Sequence, residues 1–322
     1  MQNSVSSGRL PFLRAIAEYP VVITEGSIVE KLAYEGWTQV RGAAANAALL
    51  FDEAGRAALK HAYLEYLEVG QKASLPLILF TPTWRATSPR LAKAGLPGVE
   101  ETNREAVQLL RELIDESGEY ANRVYVGGLM GCHGDAYKPE EALPEEEAFD
   151  FHSEQANVLA KAGVDFLMAA TLPEVNEAVG IARAMVASGV PAVPSYVIRR
   201  NGELLDGTSL ADAVRRVDSV CKPPVGFHMV NCVHPDVFTS AMEIQSRIWP
   251  ELESRVLGLQ ANSSPRTPEE LDGLEHLDGD GPDPFSNSML RAHKTAHLRI
   301  LGGCCGTNTE HLATLAQRVI LP

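Results

Sequence analysis

Eight short runs of apolar and β-branched residues recur along the chain, most of them followed by a longer stretch of helical character. This alternation limits the fold more than any other feature. The runs are Val21–Thr24, Leu75–Thr81, Arg123–Gly128, Val164–Ala169, Ala192–Ile198, Val225–Cys232, Arg255–Gln260 and Leu298–Gly303. Several are continuously apolar rather than alternating, as parallel strands buried on both faces must be. Ala43–Val69, with AAANAALL and then RAALKHAYLEYLEV, is rich in good helix formers with apolar positions three and four apart. Thr102–Ser117 and Pro144–Ala162 carry acids near their starts, where the helix dipole favours them, and Leu172–Ser188 has a proline in its first turn. Leu210–Val220, Pro235–Ser246 and Thr309–Ile320 read as further helices, whereas the Pro, Gly and Asp clusters of 263–284 read as a loop with some helix. The pattern predicts an α/β protein, a single-domain (β/α)8 TIM barrel over 1–322, with 1–19 as an N-terminal extension and 263–290 as a long loop and helical insertion. A doubly wound open sheet is the competing fold. Its glycine-rich phosphate turn is missing, because the first run leads into Glu25-Gly26-Ser27 with no GxGxxG and no Walker lysine.

Charge narrows the partners. The 42 acidic and 28 basic side chains give a net charge of −14, which repels phosphate backbones and anionic membranes. No apolar run approaches the ~20 residues that span a bilayer, and Ser, Arg, Pro and Glu interrupt the segment up to Tyr19, unlike a signal peptide. The expectation is a cytoplasmic protein acting on small molecules, with no nucleic-acid or membrane partner; a homo-oligomer is left open.

Five cysteines are too few and too irregular for a disulfide framework. Cys232 ends the sixth run, VGFHMVNC, and Cys304 and Cys305 follow the eighth, LRILGGCCG. In a barrel, chemistry gathers at the C-terminal ends of the strands, so residues 72 positions apart can meet there. Gly302, Gly303 and Gly306 are expected to relax the backbone so that both vicinal sulfurs turn to one point. Three thiolates on Zn2+ leave one tetrahedral position open, the arrangement of a catalytic site. The cluster would be −1 overall, a weak Lewis acid that nevertheless deprotonates a coordinating thiol. The expected chemistry is alkylation of a thiol. Two plainer readings stand beside it: buried cysteines acting as small hydrophobes, and a vicinal redox pair.

At these residues the chain resembles the homocysteine S-methyltransferase family of zinc-dependent barrel enzymes. Ile300-Leu301-Gly302-Gly303-Cys304-Cys305-Gly306-Thr307 is similar to the family's GGCC motif, and Asn231-Cys232 to its NC motif. Gln260-Ala261-Asn262-Ser263 resembles its Asn-bearing turn, and Ala162-Gly163-Val164-Asp165 with Thr171 through Glu177-Ala178 follows its fourth strand and helix. The resemblance spans about Val21 to Val319. It implies Zn2+ on Cys232, Cys304 and Cys305, with a methyl group moved from a sulfonium or betaine-type donor to homocysteine to give methionine. Glu25 and Asn231 are placed as catalytic, and Gly26, Ser27, Trp84, Arg85, Thr171 and Asn262 as substrate-binding. Glu25, Asn231 and the amides around Gly26 and Ser27 would orient the acceptor's polar end.

The departures bear on the acceptor. The family's Asp-Gly-Gly or Asp-Gly-Ala turn becomes Glu25-Gly26-Ser27, and its Glu-Thr pair after the fourth strand becomes Ala170-Thr171. In relatives those two carboxylates are expected to hold the amino group of homocysteine, and losing one such contact costs ~1.5–3 kcal/mol, about ten- to a hundredfold. The same zinc chemistry on a different thiol or a selenol is therefore one alternative, and a non-catalytic zinc or thiol redox sensor is another. Trp84 either covers a cationic methyl donor or packs at the rim, and Arg85 either binds a carboxylate or forms a surface ion pair. His133 reads as a general base, a fourth zinc ligand or a loop histidine, and Tyr137 resembles a pocket-lining position. The chain is expected to turn away at His234, and Cys221 is incidental.

Overall fold

Eight parallel strands pair in sequence order, and the last closes on the first. They are β1 (Val22–Thr24), β2 (Leu77–Phe80), β3 (Val124–Gly131), β4 (Phe166–Leu172), β5 (Ala192–Tyr196), β6 (His228–Asn231), β7 (Val256–Ala261) and β8 (Ile300–Gly303). The structure is a computed structural model, and residues 9–266 and 279–320 are described. The (β/α)8 barrel expected from the alternation is present, each run supplying one strand and shifting by a few residues at its ends.

Two apolar layers hold it together. One lies between the strands and the surrounding helices. The other fills the barrel interior, where Val22, Ile78, Tyr125, Phe166, Phe227 and Ile300 meet near the strand starts. The N-terminal extension is part of this inner core. Helix Phe12–Glu18 buries Phe12, Ala15 and Ile16 there, and the Phe12 ring stacks on Phe166 with centroids 3.9 Å apart. Arg9 fastens the segment, donating to the Val124 carbonyl (2.8 Å) and to Asp165 (2.7 Å).

Two helical expectations need correction. Ala43–Val69 is not one helix: a 3-10 turn over Ala45–Leu49 ends before Asp52, which caps helix Glu53–Ala73 by accepting from the Gly55 amide at 2.6 Å. A carboxylate in that position satisfies free amides and starts a new helix, so strong helix formers on both sides do not fuse. Within 263–290, helix Pro282–Ala296 begins at Pro282, and 267–278 lie outside the described residues.

Candidate metal centre and substrate cavity

The C-terminal ends of the strands surround a cavity of about 300 Å3. Cys232, Cys304 and Cys305 all line it, and their sulfur atoms lie within 4.8 Å of one another. Cys232 and Cys304 are close enough to be joined as a disulfide, with Cα atoms 5.5 Å apart, and Cys305 is a free thiol.

The local backbone explains how neighbouring residues share one cavity. Successive strand residues point to opposite faces, so Asn231 and Cys232 should not both face inward. They do, because Cys232 adopts a left-handed conformation with φ of 55° just after β6 ends. Thr171 repeats the device beside Ala170, with φ of 60°. Such conformations cost of order 1–3 kcal/mol at non-glycine residues, and contacts around them must offset it. Here the Cys232 amide donates to Gln260 O (3.0 Å) and the Thr171 amide to Asn231 Oδ1 (2.9 Å).

The expected role of the glycines is corrected in part. Only Gly306, of the three, has positive φ, at 76°. Gly302 and Gly303 lie in regular strand β8, and a Cβ there would collide with the side chains of Thr24 and Thr307. Their smallness lets Thr24 and Thr307 pack against the strand that leads into the vicinal cysteines.

Asn231 is the hub of the metal centre. Its Oδ1 accepts from Thr171 N and from Ser195 Oγ (2.7 Å), and its Nδ2 donates to Thr171 Oγ1 (2.7 Å) and to Cys232 Sγ (3.3 Å). Thr171 Oγ1 approaches Cys232 Sγ at 3.8 Å. Donors aimed at a sulfur stabilise its thiolate, the form that ligates a metal. A tetrahedral zinc site with Zn–S distances near 2.3 Å places sulfurs roughly 3.8 Å apart. Three soft donors within 4.8 Å of one another, one of them with polar support, are a set that suits Zn2+, and the Cys232 and Cys304 sulfurs, drawn into disulfide contact here, would part to reach that spacing. Burial holds the Cys305 thiol well above its usual range, so this sulfur gives up its proton only to a compensating cation.

Glu25 and Gly26 line the cavity as expected. Both Glu25 carboxylate oxygens accept from the Phe80 amide, at 3.1 and 3.0 Å. Burial still raises its pKa well above the ordinary carboxylate range, which the amide only partly offsets. Ser27 lines the cavity but its polar groups are committed: its amide donates to Thr307 O (3.3 Å), and its hydroxyl caps helix Ile28–Tyr34 by accepting from Glu30 N (3.3 Å). Its amide is therefore not free to orient an acceptor.

Trp84 forms one wall of the cavity, its indole N–H directed at Ala170 O at 3.5 Å. Arg85 and Asn262 do not line it. Arg85 lies over the Trp84 ring at 4.0 Å and donates to Gly134 O, so it braces the wall. Asn262 donates from Nδ2 to Cys232 O at 3.0 Å and fixes the cysteine's turn from behind. Both were expected to bind substrate, and neither side chain lines the cavity. His133 also lies outside the cavity, whereas Tyr137 lines it. The intervening loop is pinned by buried Glu177, which accepts from His133 N (2.6 Å), Leu143 N (3.2 Å) and His152 Nε2 (2.9 Å). His234 caps helix Pro235–Ile248, consistent with the chain turning away.

Asn46 and Glu30 are among the polar residues of the cavity that escaped sequence reasoning. Asn46 is buried at the wall with its side-chain carbonyl unpartnered. A lone amide in AAANAALL is the signal that was available for it. Glu30 lines the cavity beside Cys305 and accepts from the Gly306 amide, with its pKa raised by burial.

Comparison with known proteins now bears on this geometry. The family model for homocysteine S-methyltransferase matches residues 22–319. The chain belongs to the homocysteine S-methyltransferase family. It is a methyltransferase, as the relatives' activities agree. Homocysteine S-methyltransferase of Escherichia coli (strain K12) is 24% identical over 275 residues, covering 81% of this chain and 84% of that protein. Betaine--homocysteine S-methyltransferase 1 of Bos taurus is 25% identical over 318 residues, covering 93% and 72%. The crystal structure of the E. coli homocysteine methyltransferase MmuM in its metallated form has a TM-score of 0.74 at 21% identity, covering 96% of this chain and 100% of that one. Its oxidized form also has a TM-score of 0.74, at 23% identity. At these identities the structural match establishes the shared barrel. No helix of the described residues is long and apolar enough to cross a membrane.

Proposed function

We propose that this chain transfers a methyl group from a sulfonium or betaine-type donor to the sulfur of homocysteine, with Zn2+ held by Cys232, Cys304 and Cys305. The observation that carries the reading is the meeting of three sulfurs from β6 and β8 on the wall of a cavity. When bound, the ion supplies a deprotonated acceptor sulfur at neutral pH. The protein's own residues do the rest. Asn231 and Thr171 hold Cys232 in place and support its negative charge. Glu25 and the Asn46 carbonyl present acceptors to an ammonium group, and a ligand cation would return Glu25 to its charged form. Phe80, Trp84 and Leu129 give the cavity an apolar wall that keeps water from a cationic methyl group. The Trp84 ring suits the positive charge of such a donor. Transfer is then a matter of holding the methyl carbon ~3–3.5 Å from the acceptor sulfur.

A second reading keeps this chemistry and changes the acceptor. Ala170 is buried on the cavity wall where the family pattern has a carboxylate, so this wall offers no charge to a second side of an ammonium. A thiol or selenol without an α-amino group would fit it. One experiment serves both: metal content of the purified protein, followed by methyl transfer from several donors to homocysteine and to a panel of acceptors. Stoichiometric zinc, turnover, and loss of both in Cys304→Ser support the function. Homocysteine turnover within about tenfold of the best acceptor refutes the second reading. Zinc-free protein, or a fully active Cys304→Ser variant, refutes the first. The redox-sensor alternative requires reversible metal loss on mild oxidation with no methyl transfer from any donor.

A further inference from the structure

A second concavity, of about 490 Å3, lies among the loops at the same end of the barrel, bounded by Arg41, Thr87, Arg90, Lys93 and His133. Its composition runs against the rest of the molecule. In a chain of net charge −14, three permanent cations converge here, and none of the three is ion-paired to a carboxylate among the described residues. Many other arginines are spent: Arg56, Arg111, Arg183, Arg216, Arg255 and Arg318 all pair with acids.

Arg90 is held in place by donating from Nη2 to the carbonyls of His133 (2.9 Å) and Gly134 (3.0 Å). This fixes the guanidinium without neutralising it. Arg90 also lies close enough to Arg85 to lower the latter's pKa, after burial, against the opposing pull of Cys132, Asp135 and Glu177. The acids of the adjoining region do not line the concavity: Glu141 accepts from the Asp135 amide (2.9 Å) and pairs with Lys138, Asp135 accepts from Tyr137 N (3.0 Å), and the buried Glu177 accepts from His133 N (2.6 Å).

An independent observation marks the same concavity. Thr87 lines it, is 5% exposed, and its hydroxyl is buried with no hydrogen-bond partner. A buried hydroxyl without a partner costs free energy, which a ligand returns once its binding opens the hydroxyl to contact.

We propose that this concavity is an anion-binding site, separate from the cysteine cavity, for a carboxylate- or phosphate-bearing ligand. Arg41, Arg90 and Lys93 supply the charge, and the Thr87 hydroxyl supplies a further donor. The chain joins the two spaces at two places: Arg41 to Ala43 lead to Asn46, and Thr87 follows Trp84, and Asn46 and Trp84 line the cysteine cavity. The anion is either the far end of a substrate seated in that cavity or a free ion. The site itself does not depend on the proposed zinc chemistry.

Isothermal titration calorimetry with inorganic phosphate at constant ionic strength tests it. Wild type should bind saturably. The double variant Arg41→Gln, Lys93→Gln, which removes no hydrogen bond seen in the fold, should bind at least about tenfold more weakly. Cys304→Ser should bind phosphate as wild type does, so a failed methyl-transfer assay leaves this result intact. Phosphate that raises KM for one substrate without changing kcat identifies that substrate's anionic end as the source. Phosphate that binds without competing with either substrate identifies a free anion. Absence of saturable binding at millimolar phosphate, or a double variant with wild-type affinity, overturns the proposal.

Discussion

Asn231→Asp tests the support that the Asn231 side-chain N–H groups give to the proposed metal centre. The substitution is nearly isosteric. One carboxylate oxygen can still accept from the Thr171 amide and Ser195 hydroxyl, so the contacts that hold the turn survive. What changes is the Nδ2 position: the N–H donor 3.3 Å from Cys232 Sγ becomes an oxygen carrying negative charge, and Thr171 Oγ1, which accepted from Nδ2 at 2.7 Å, must become the donor. Loss of a hydrogen bond to a charged group costs ~1.5–3 kcal/mol. Repulsion between carboxylate and thiolate at 3.3 Å adds up to about 5 kcal/mol at an effective dielectric constant of 20. Protonation offers little escape at about pH 8, because carrying an aspartic acid ~4 units above its ordinary pKa costs about 5.6 kcal/mol. The lost hydrogen bond is therefore the floor, and zinc affinity should fall by at least ten- to a hundredfold, in line with other polar supports of metal ligands. Competition with a chromophoric chelator measures the affinity, and circular dichroism checks the fold. A folded variant that binds zinc within about threefold of wild type would refute the assigned role of Asn231.

Three further outcomes are expected. Because burial raises the Glu25 pKa, the native state holds a proton that the unfolded chain releases; wild-type stability should fall as pH rises above 4.5 towards the raised native value. Glu25→Gln should flatten that dependence in urea denaturation without ligand, and identical pH profiles for the two proteins would contradict it. Phe12→Ala should cost ~3–5 kcal/mol of stability by urea denaturation, through loss of the ring stacked on Phe166, with zinc affinity unchanged; a loss below about 1 kcal/mol would mean that the N-terminal helix is not part of the core. Ala170→Glu should lower KM for homocysteine about ten- to a hundredfold if the acceptor's ammonium lies against that wall, and steady-state kinetics with an unchanged KM would place the amino group elsewhere.

The barrel was legible because each buried parallel strand leaves a short apolar run, and eight such runs admit few closed arrangements. The three sulfurs were legible because cysteines ending the sixth and eighth runs reach the same end of a closed sheet. What stayed hidden depends on contacts between distant residues. Ser27 looked like an acceptor-binding amide, but Thr307, 280 positions later, takes that hydrogen. Arg85 looked like an anion ligand, and its guanidinium is instead placed over Trp84 and beside Gly134. Asn46 sat unremarked within a run of strong helix formers, and it lies in the 3-10 turn that ends before Asp52 and lines the cavity. Glycines near the cysteines suggested loosened backbone; of these only Gly306 is left-handed, and the other left-handed turns at the cavity fall on Thr171 and Cys232, two residues that propensity disfavours there.

The distribution of the three sulfurs along the chain has a consequence for assembly. Cys232 comes from β6, whereas Cys304 and Cys305 follow β8, the strand that meets β1 to complete the ring. A partly folded chain whose last strand is undocked holds one of the three ligands at the cavity and has no high-affinity seat to offer. An ion captured by all three would thus select the fully closed ring over every open intermediate, and metal supply would then act as a thermodynamic latch on the closing of the ring.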